Sequence, residues 1–327
     1  MLVENFLRAR GAVFRSCLMS LLLVGTTANA VDMAAASVEY LPLAAAAYTR
    51  PLEARRQGAL YRITRFGQVG YLFGTVHVGT KEFYPLAPEV SRALDDASQL
   101  VVELDTRAAD AFRLALARHG SYRPGQHIAQ HISAPSLARL TTALHAVGIT
   151  LASVSHLKPW LLANQLMGLE LERSGFERTH GLETFLLANA QQRGNAVAEL
   201  ESADYQFAMF NTLSDSDAER YLLDALDELA NGSSLRKAKA VIDAWSSGNA
   251  AALDALIADA TEGSSVMSDF TRRMLLDKRN PEMAARIEVI MGDGKTSFIG
   301  VGLLHLLGAN GLPRLLSQRG YQVERRY

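Results

Sequence analysis

The chain has 327 residues, with 33 Lys and Arg against 34 Asp and Glu, a formal net charge of −1, and 49% hydrophobic residues. That balance leaves no basic footprint for nucleic acid, while a chain of this length can bury a large core. A single cysteine, Cys17, excludes an intrachain disulfide framework.

Residues 1–30 read as a cleavable secretory signal. Arg8, Arg10 and Arg15 precede a short apolar run, Cys17–Val24, and Ala28-Asn29-Ala30 supplies small residues for cleavage after Ala30. The run falls well short of the roughly 20 apolar residues that span a bilayer. No later segment is long and apolar enough to do so, so a periplasmic or secreted protein without stable membrane insertion is expected. Residues 31–58 are Ala-rich with little periodicity and read as a linker or loosely packed arm.

Residues 59–327 carry the domain. Leu60–Arg65 and Val69–Phe73 alternate as strands around Phe66-Gly67-Gln68, which reads as a hairpin. The second strand runs into Gly74-Thr75-Val76-His77. A helix over Glu89–Ala97, opened by a proline, leads to a strand over Gln99–Leu104 that carries Glu103. A helix over Ala108–His119 follows. Strand–helix–strand–helix order predicts an α/β (α+β) core.

The middle, about 135–291, reads as a helical insertion or lid. Helices are expected over Ser136–Val147, Pro159–Arg173, Leu182–Arg193, Leu235–Ser247, Ala250–Ala260, Ser265–Lys278 and Pro281–Met291, with a short possible strand at Ala196–Leu200. Ser216-x-x-Glu219 resembles a capping box, opening a helix whose Leu222, Leu223, Leu226 and Leu229 share a face. Strand character returns at Thr296–Val301, followed by Gly302-Leu303-Leu304-His305. A helix over Gly311–Gln318 and a strand over Tyr321–Arg326 close the chain. The expected architecture is a central mixed sheet made by the N- and C-terminal strands.

Strand–Gly-x-x-His therefore occurs twice. Glycine there would let the chain leave the sheet sharply and would leave space for a ligand. His77, Glu103 and His305 would converge from three strand ends as a divalent-metal site with open positions, and a bound water could become the nucleophile. Glu201 could be a further acid at the site or merely precede a Ser202 cap. Arg279 could clamp a substrate carboxylate or stabilise an oxyanion, or form a helix-terminal salt bridge. Asp105, two residues past Glu103, would share its face on a strand. His119, His127, His131, His145, His156 and His180 read as surface or core histidines. Neither a Gly-x-Ser-x-Gly elbow nor a Gly-rich phosphate loop is present.

Gly74-Thr-Val-His77, Val102-Glu103-Leu-Asp105 and Gly302-Leu-Leu-His305 together resemble the TraB/GumN family, which includes the animal Tiki proteases. Lys158-Pro159-Trp160, Gly181-Leu-Glu183, Leu200-Glu201-Ser202, Arg279-Asn280 and the closing Gly311–Val323 segment resemble further family landmarks. Glu183 stands where the family commonly has Asp, and Leu304 where Gly often precedes the histidine. The resemblance implies a metal-dependent hydrolase of peptides or proteins, with His77, Glu103 and His305 at the metal. Manganese or cobalt is implied as the ion, with zinc a third choice. Two other classes stay open: a catalytically silent binding or regulatory module, and a metal-independent esterase-like hydrolase with His77 as base beside Glu103.

Overall fold

The computed structural model describes residues 57–263 and 265–326. The expected signal segment lies outside the described residues, as does all of the arm except Gln57 and Gly58. These two are buried. The Gln57 amide donates to the Phe83 carbonyl and accepts from the Ala87 amide, each at 2.8 Å. The end of the arm is thus packed, where little periodicity had suggested looseness.

Six strands form one mixed sheet: β1 (Leu60–Arg65), β2 (Gln68–Thr75), β3 (Gln99–Val102), β4 (Ala196–Glu199), β5 (Ser297–Gly302) and β6 (Gln322–Arg325), in the order β4-β3-β5-β2-β1-β6. β2, β3, β4 and β5 run parallel, and β1 is antiparallel to both of its neighbours. The β1–β2 loop is tighter than expected. Arg65 pairs with Gln68, leaving only Phe66 (φ 51°) and Gly67 (φ 80°) in the turn. Positive φ at both positions matches the twist of the flanking strands.

The helices, in chain order, are α1 (Pro88–Asp96), α2 (Ala109–Gly120), α3 (Ala134–Ala146), α4 (Leu151–Val154), α5 (Pro159–Arg173), α6 (Leu182–Arg193), α7 (Ala203–Ala208), α8 (Asp215–Asn231), α9 (Ser233–Ser247), α10 (Ala250–Thr261), α11 (Val266–Phe270), α12 (Arg279–Met291) and α13 (Leu312–Gln318). Ser214, not Ser216, caps α8, accepting from the Asp217 amide at 3.1 Å. Glu219 instead takes the Ser133 amide and the Ser136 hydroxyl, so the apparent capping box serves a contact between helices.

Two apolar cores result. One wraps the sheet, with every residue of β3 and β5 buried, as suits parallel strands covered on both faces. It draws on α1, α6, α9, α10, α12 and α13. The other is wholly helical, built by α2, α3, α5, α7, α8 and α11, with Trp160 stacked on Phe210 at 4.2 Å. The chain thus re-enters the sheet at β4 midway through the helical stretch, and several middle helices belong to the sheet core. Trp245 on α9 makes the tie explicit: its indole N–H donates to the Gly74 carbonyl at 2.8 Å, and its own carbonyl accepts from Gly58 at 2.6 Å.

α11 and α12 are joined by a π-helical stretch, Thr271–Asp277, where the sequence suggested two separate helices. Pro281 lacks the N–H that would bond the Asp277 carbonyl and crowds it. Widening the helix just before that point relieves the conflict. π-helical turns recur at functional sites, and this one delivers Arg279 and Asn280.

Candidate functional site

Because β2, β3, β4 and β5 are parallel, their carboxyl ends share one sheet edge, where ligands collect in open α/β sheets. His77, Glu103, Glu201 and His305 follow those four ends in turn, and Arg279 enters from the first turn of α12. All five residues singled out from the sequence lie at this edge.

Arg279 binds the two acids together. Its Nη2 donates to Glu103 Oε2 and to Glu201 Oε2, each at 2.6 Å, and its Nε donates to both Glu201 oxygens at 2.9 and 3.1 Å. Gln206 Nε2 adds bonds to Glu201 at 2.9 Å and Glu103 at 3.4 Å. The arginine is 3% exposed. It is a clamp on two carboxylates inside the protein. Glu103 Oε1 accepts from the Gly302 amide at 2.5 Å. Burial raises the Glu103 pKa, but the nearby His305, Arg279 and His77 and the Gly302 amide outweigh it and hold the group at about 2. A pKa this low favours the carboxylate form, with hydrogen bonds on both of its oxygens.

The two histidines sit differently. His305 is fully buried, with Nδ1 at 2.5 Å from Asn280 Oδ1 and Nε2 facing Glu103 Oε1 across 3.6 Å. Burial drives it down to about 3 against the attraction of Glu103, so its imidazole is neutral. The His77 side chain retains 28% exposure, with Nδ1 at 3.1 Å from Glu183 Oε1. Burial lowers its pKa, yet Glu183 and Glu103 overcome that, and the net shift is upward. Glu183 is itself held by the Thr75 hydroxyl. In both rings Nε2 is buried without a hydrogen-bond partner.

Glycine serves packing more than turning. Neither Gly74 nor Gly302 has positive φ. A Cβ on Gly74 would come within 2.7 Å of Leu303, so the first Gly-x-x-His unit needs its glycine to admit a leucine of the second. Leu304 is buried in the sheet core. Asp105 departs from the strand-face expectation because β3 ends at Val102; its carboxylate turns to Arg107, at 2.6 and 2.8 Å. His119 and His131 are taken up by Asp204 and Asp215 on the helical side.

Glu183 and Asn280, which orient the two imidazoles, appeared in the sequence only as landmarks without a role. Gln206 gave no signal at all, since nothing in its neighbourhood marks a residue whose partners are more than a hundred positions away or across a helix turn.

The donors fit a divalent metal in kind. Two imidazole nitrogens lack partners, one of them facing a carboxylate oxygen. Three carboxylates (Glu103, Glu183, Glu201) oppose one guanidinium, leaving two uncompensated negative charges when both rings are neutral. Among the described residues, no three His, Cys, Asp or Glu side chains close into a ready-made cage. No helix of the described residues is long and apolar enough to cross a membrane.

The model of the TraB/PrgY/gumN family matches residues 59–325. The chain is 25% identical over 247 residues to the uncharacterized protein YbaP of Escherichia coli (strain K12), covering 75% of this chain and 87% of that one. YbaP of Shigella flexneri matches to the same extent. No solved structure matches. The chain belongs to the TraB/PrgY/gumN family.

Proposed function

We propose that this member of the TraB/PrgY/gumN family is an exported, metal-dependent hydrolase of peptides or proteins. His77, His305 and Glu103 would hold a manganese, cobalt or zinc ion. The observation that carries this is the pair of buried Nε2 atoms without partners, each on a ring whose Nδ1 is already bonded to an oxygen. Metal-bound histidines are oriented in this way. Export is read from the N-terminal sequence alone.

When bound, the ion would supply a Lewis acid for the scissile carbonyl and a more acidic water. The protein's own groups do the rest. Arg279 and Gln206 bond to Glu103 and favour its carboxylate form, so that it can balance the charge of the ion. His305, fully enclosed, keeps water from one side of the site. His77 is the less enclosed of the two rings, although its Nε2 is buried, and Glu183 raises its basicity.

His77→Ala and H305A should each lose metal and reduce peptide hydrolysis by about 100-fold or more, read by metal analysis and turnover of a peptide library before and after a chelator. Hydrolysis retained in either variant would overturn the assignment. A second reading rests on the His77–Glu183 pair. A partly exposed imidazole backed by a carboxylate can serve as a general base without metal wherever a substrate gains its Nε2, and that activity would survive the chelator. Wild-type protein with neither metal nor turnover would instead be a silent binding module.

A further inference from the structure

We infer that Asn280 is the positioning residue that sets the tautomer of His305, held in turn by a line of polar groups running to Asp277. Asn280 is 1% exposed. Its Nδ2 donates to the Asn310 backbone carbonyl at 2.8 Å. A carbonyl only accepts, so the amide nitrogen must face it and the amide oxygen must face His305. That oxygen only accepts as well, so His305 Nδ1 carries the proton. In a neutral ring Nε2 is then a bare electron pair. It is the atom that faces Glu103.

The line continues outward. The Asn310 side chain donates to Asp277 Oδ1 at 2.8 Å. Asp277 is the last residue of the π-helical stretch and Asn310 lies five residues past His305. The loop after the second Gly-x-x-His unit and the widened helix are thereby locked in one register. Without Asn280, the other tautomer gains a bond, because an Nε2–H could donate to Glu103. The enclosed histidine would then change from electron-pair donor to proton donor.

The role in metal binding rests on the proposed hydrolase, whereas the tautomer itself does not. The test uses the full chain labelled with nitrogen-15 in its histidines and freed of metal by a chelator. Ring-nitrogen spectra are recorded for wild type, N280L and Asn280→Asp, with H305A identifying the signals. Wild type should show protonated Nδ1 and unprotonated Nε2. N280L should move the proton to Nε2, and Asn280→Asp, which keeps an acceptor, should leave it on Nδ1. Calorimetry with manganese alone should show affinity about 10- to 100-fold weaker in N280L. Should N280L fail to fold, Asn280→Ala takes its place. An unchanged tautomer in the leucine or alanine variant overturns the positioning role, even if wild type binds manganese. A moved proton in a protein whose wild type takes up none of manganese, cobalt or zinc upholds the positioning role and removes the metal-dependent reading.

Discussion

The two Gly-x-x-His units are alike in sequence and opposite in environment. Each follows a parallel strand, and the strands are neighbours in register, Thr75 beside Gly302. His305 ends in a short helical turn sealed by Leu303, Leu304 and Leu306 and is fully buried. Its neutral partner, Asn280, leaves burial to dominate, and the ring stays uncharged. His77, at the same sheet edge, stays partly exposed against an anionic partner, Glu183, and its basicity rises. What a motif does therefore depends on the partner that a distant helix brings: α6 for one unit, α12 for the other. Burial and partner charge together set the opposite shifts.

Arg279→Ala should break the enclosed unit most severely. It leaves Glu103 and Glu201 buried and uncompensated, a loss of about 3–5 kcal/mol, read as a lowered denaturant midpoint. Stability within 1 kcal/mol of wild type would mean the carboxylates find other partners. Gly181→Ala attacks the exposed unit. Its Cβ would stand 2.2 Å from the His77 carbonyl oxygen, a backbone clash that only movement of α6 or His77 relieves. About 1–3 kcal/mol should be lost, with peptide turnover falling too; full activity would show that His77 need not be held so closely.

The smallest effect concerns neither unit. Asp224 on α8, crowded by burial and by Glu228 and Asp227, is pushed up to about 6 from 3.8. A carboxyl raised in the folded state favours folding while protonated, so its contribution is present below about pH 4 and is lost as pH rises through 6. Asp224→Asn should flatten that part of the stability-against-pH curve and leave both histidine units as they are. Melting temperatures at pH 4 and pH 7 test this, and equal pH dependence in the variant would exclude Asp224 as the source.

The sheet was legible because parallel strands that are buried on both faces leave unbroken apolar runs, as in Leu100–Val102 and Phe298–Val301. The same strand ends exposed His77, Glu103 and His305 to reading. Strand order was not legible, nor was the membership of β4, whose four residues carry little pattern of their own. The roles of Arg279 and Glu201 stayed undecided because a salt bridge within the site and a contact with substrate ask for the same residue types. Asp105 was misplaced by assuming that alternation persists beyond a strand that stops at Val102. The two orienting residues, Glu183 and Asn280, could not be assigned because their partners lie 106 and 25 positions away.

The Trp245 indole gives the middle of the chain a mechanical meaning. It is fully buried and bonded to the carbonyl of Gly74, three residues before His77, while its own carbonyl holds Gly58. Lifting α9 would drag a large aromatic into water and strand a strand-end carbonyl, at about 1–3 kcal/mol for the lost bond alone. Through this one side chain, α9 and the strand end that leads into His77 form a single packed unit.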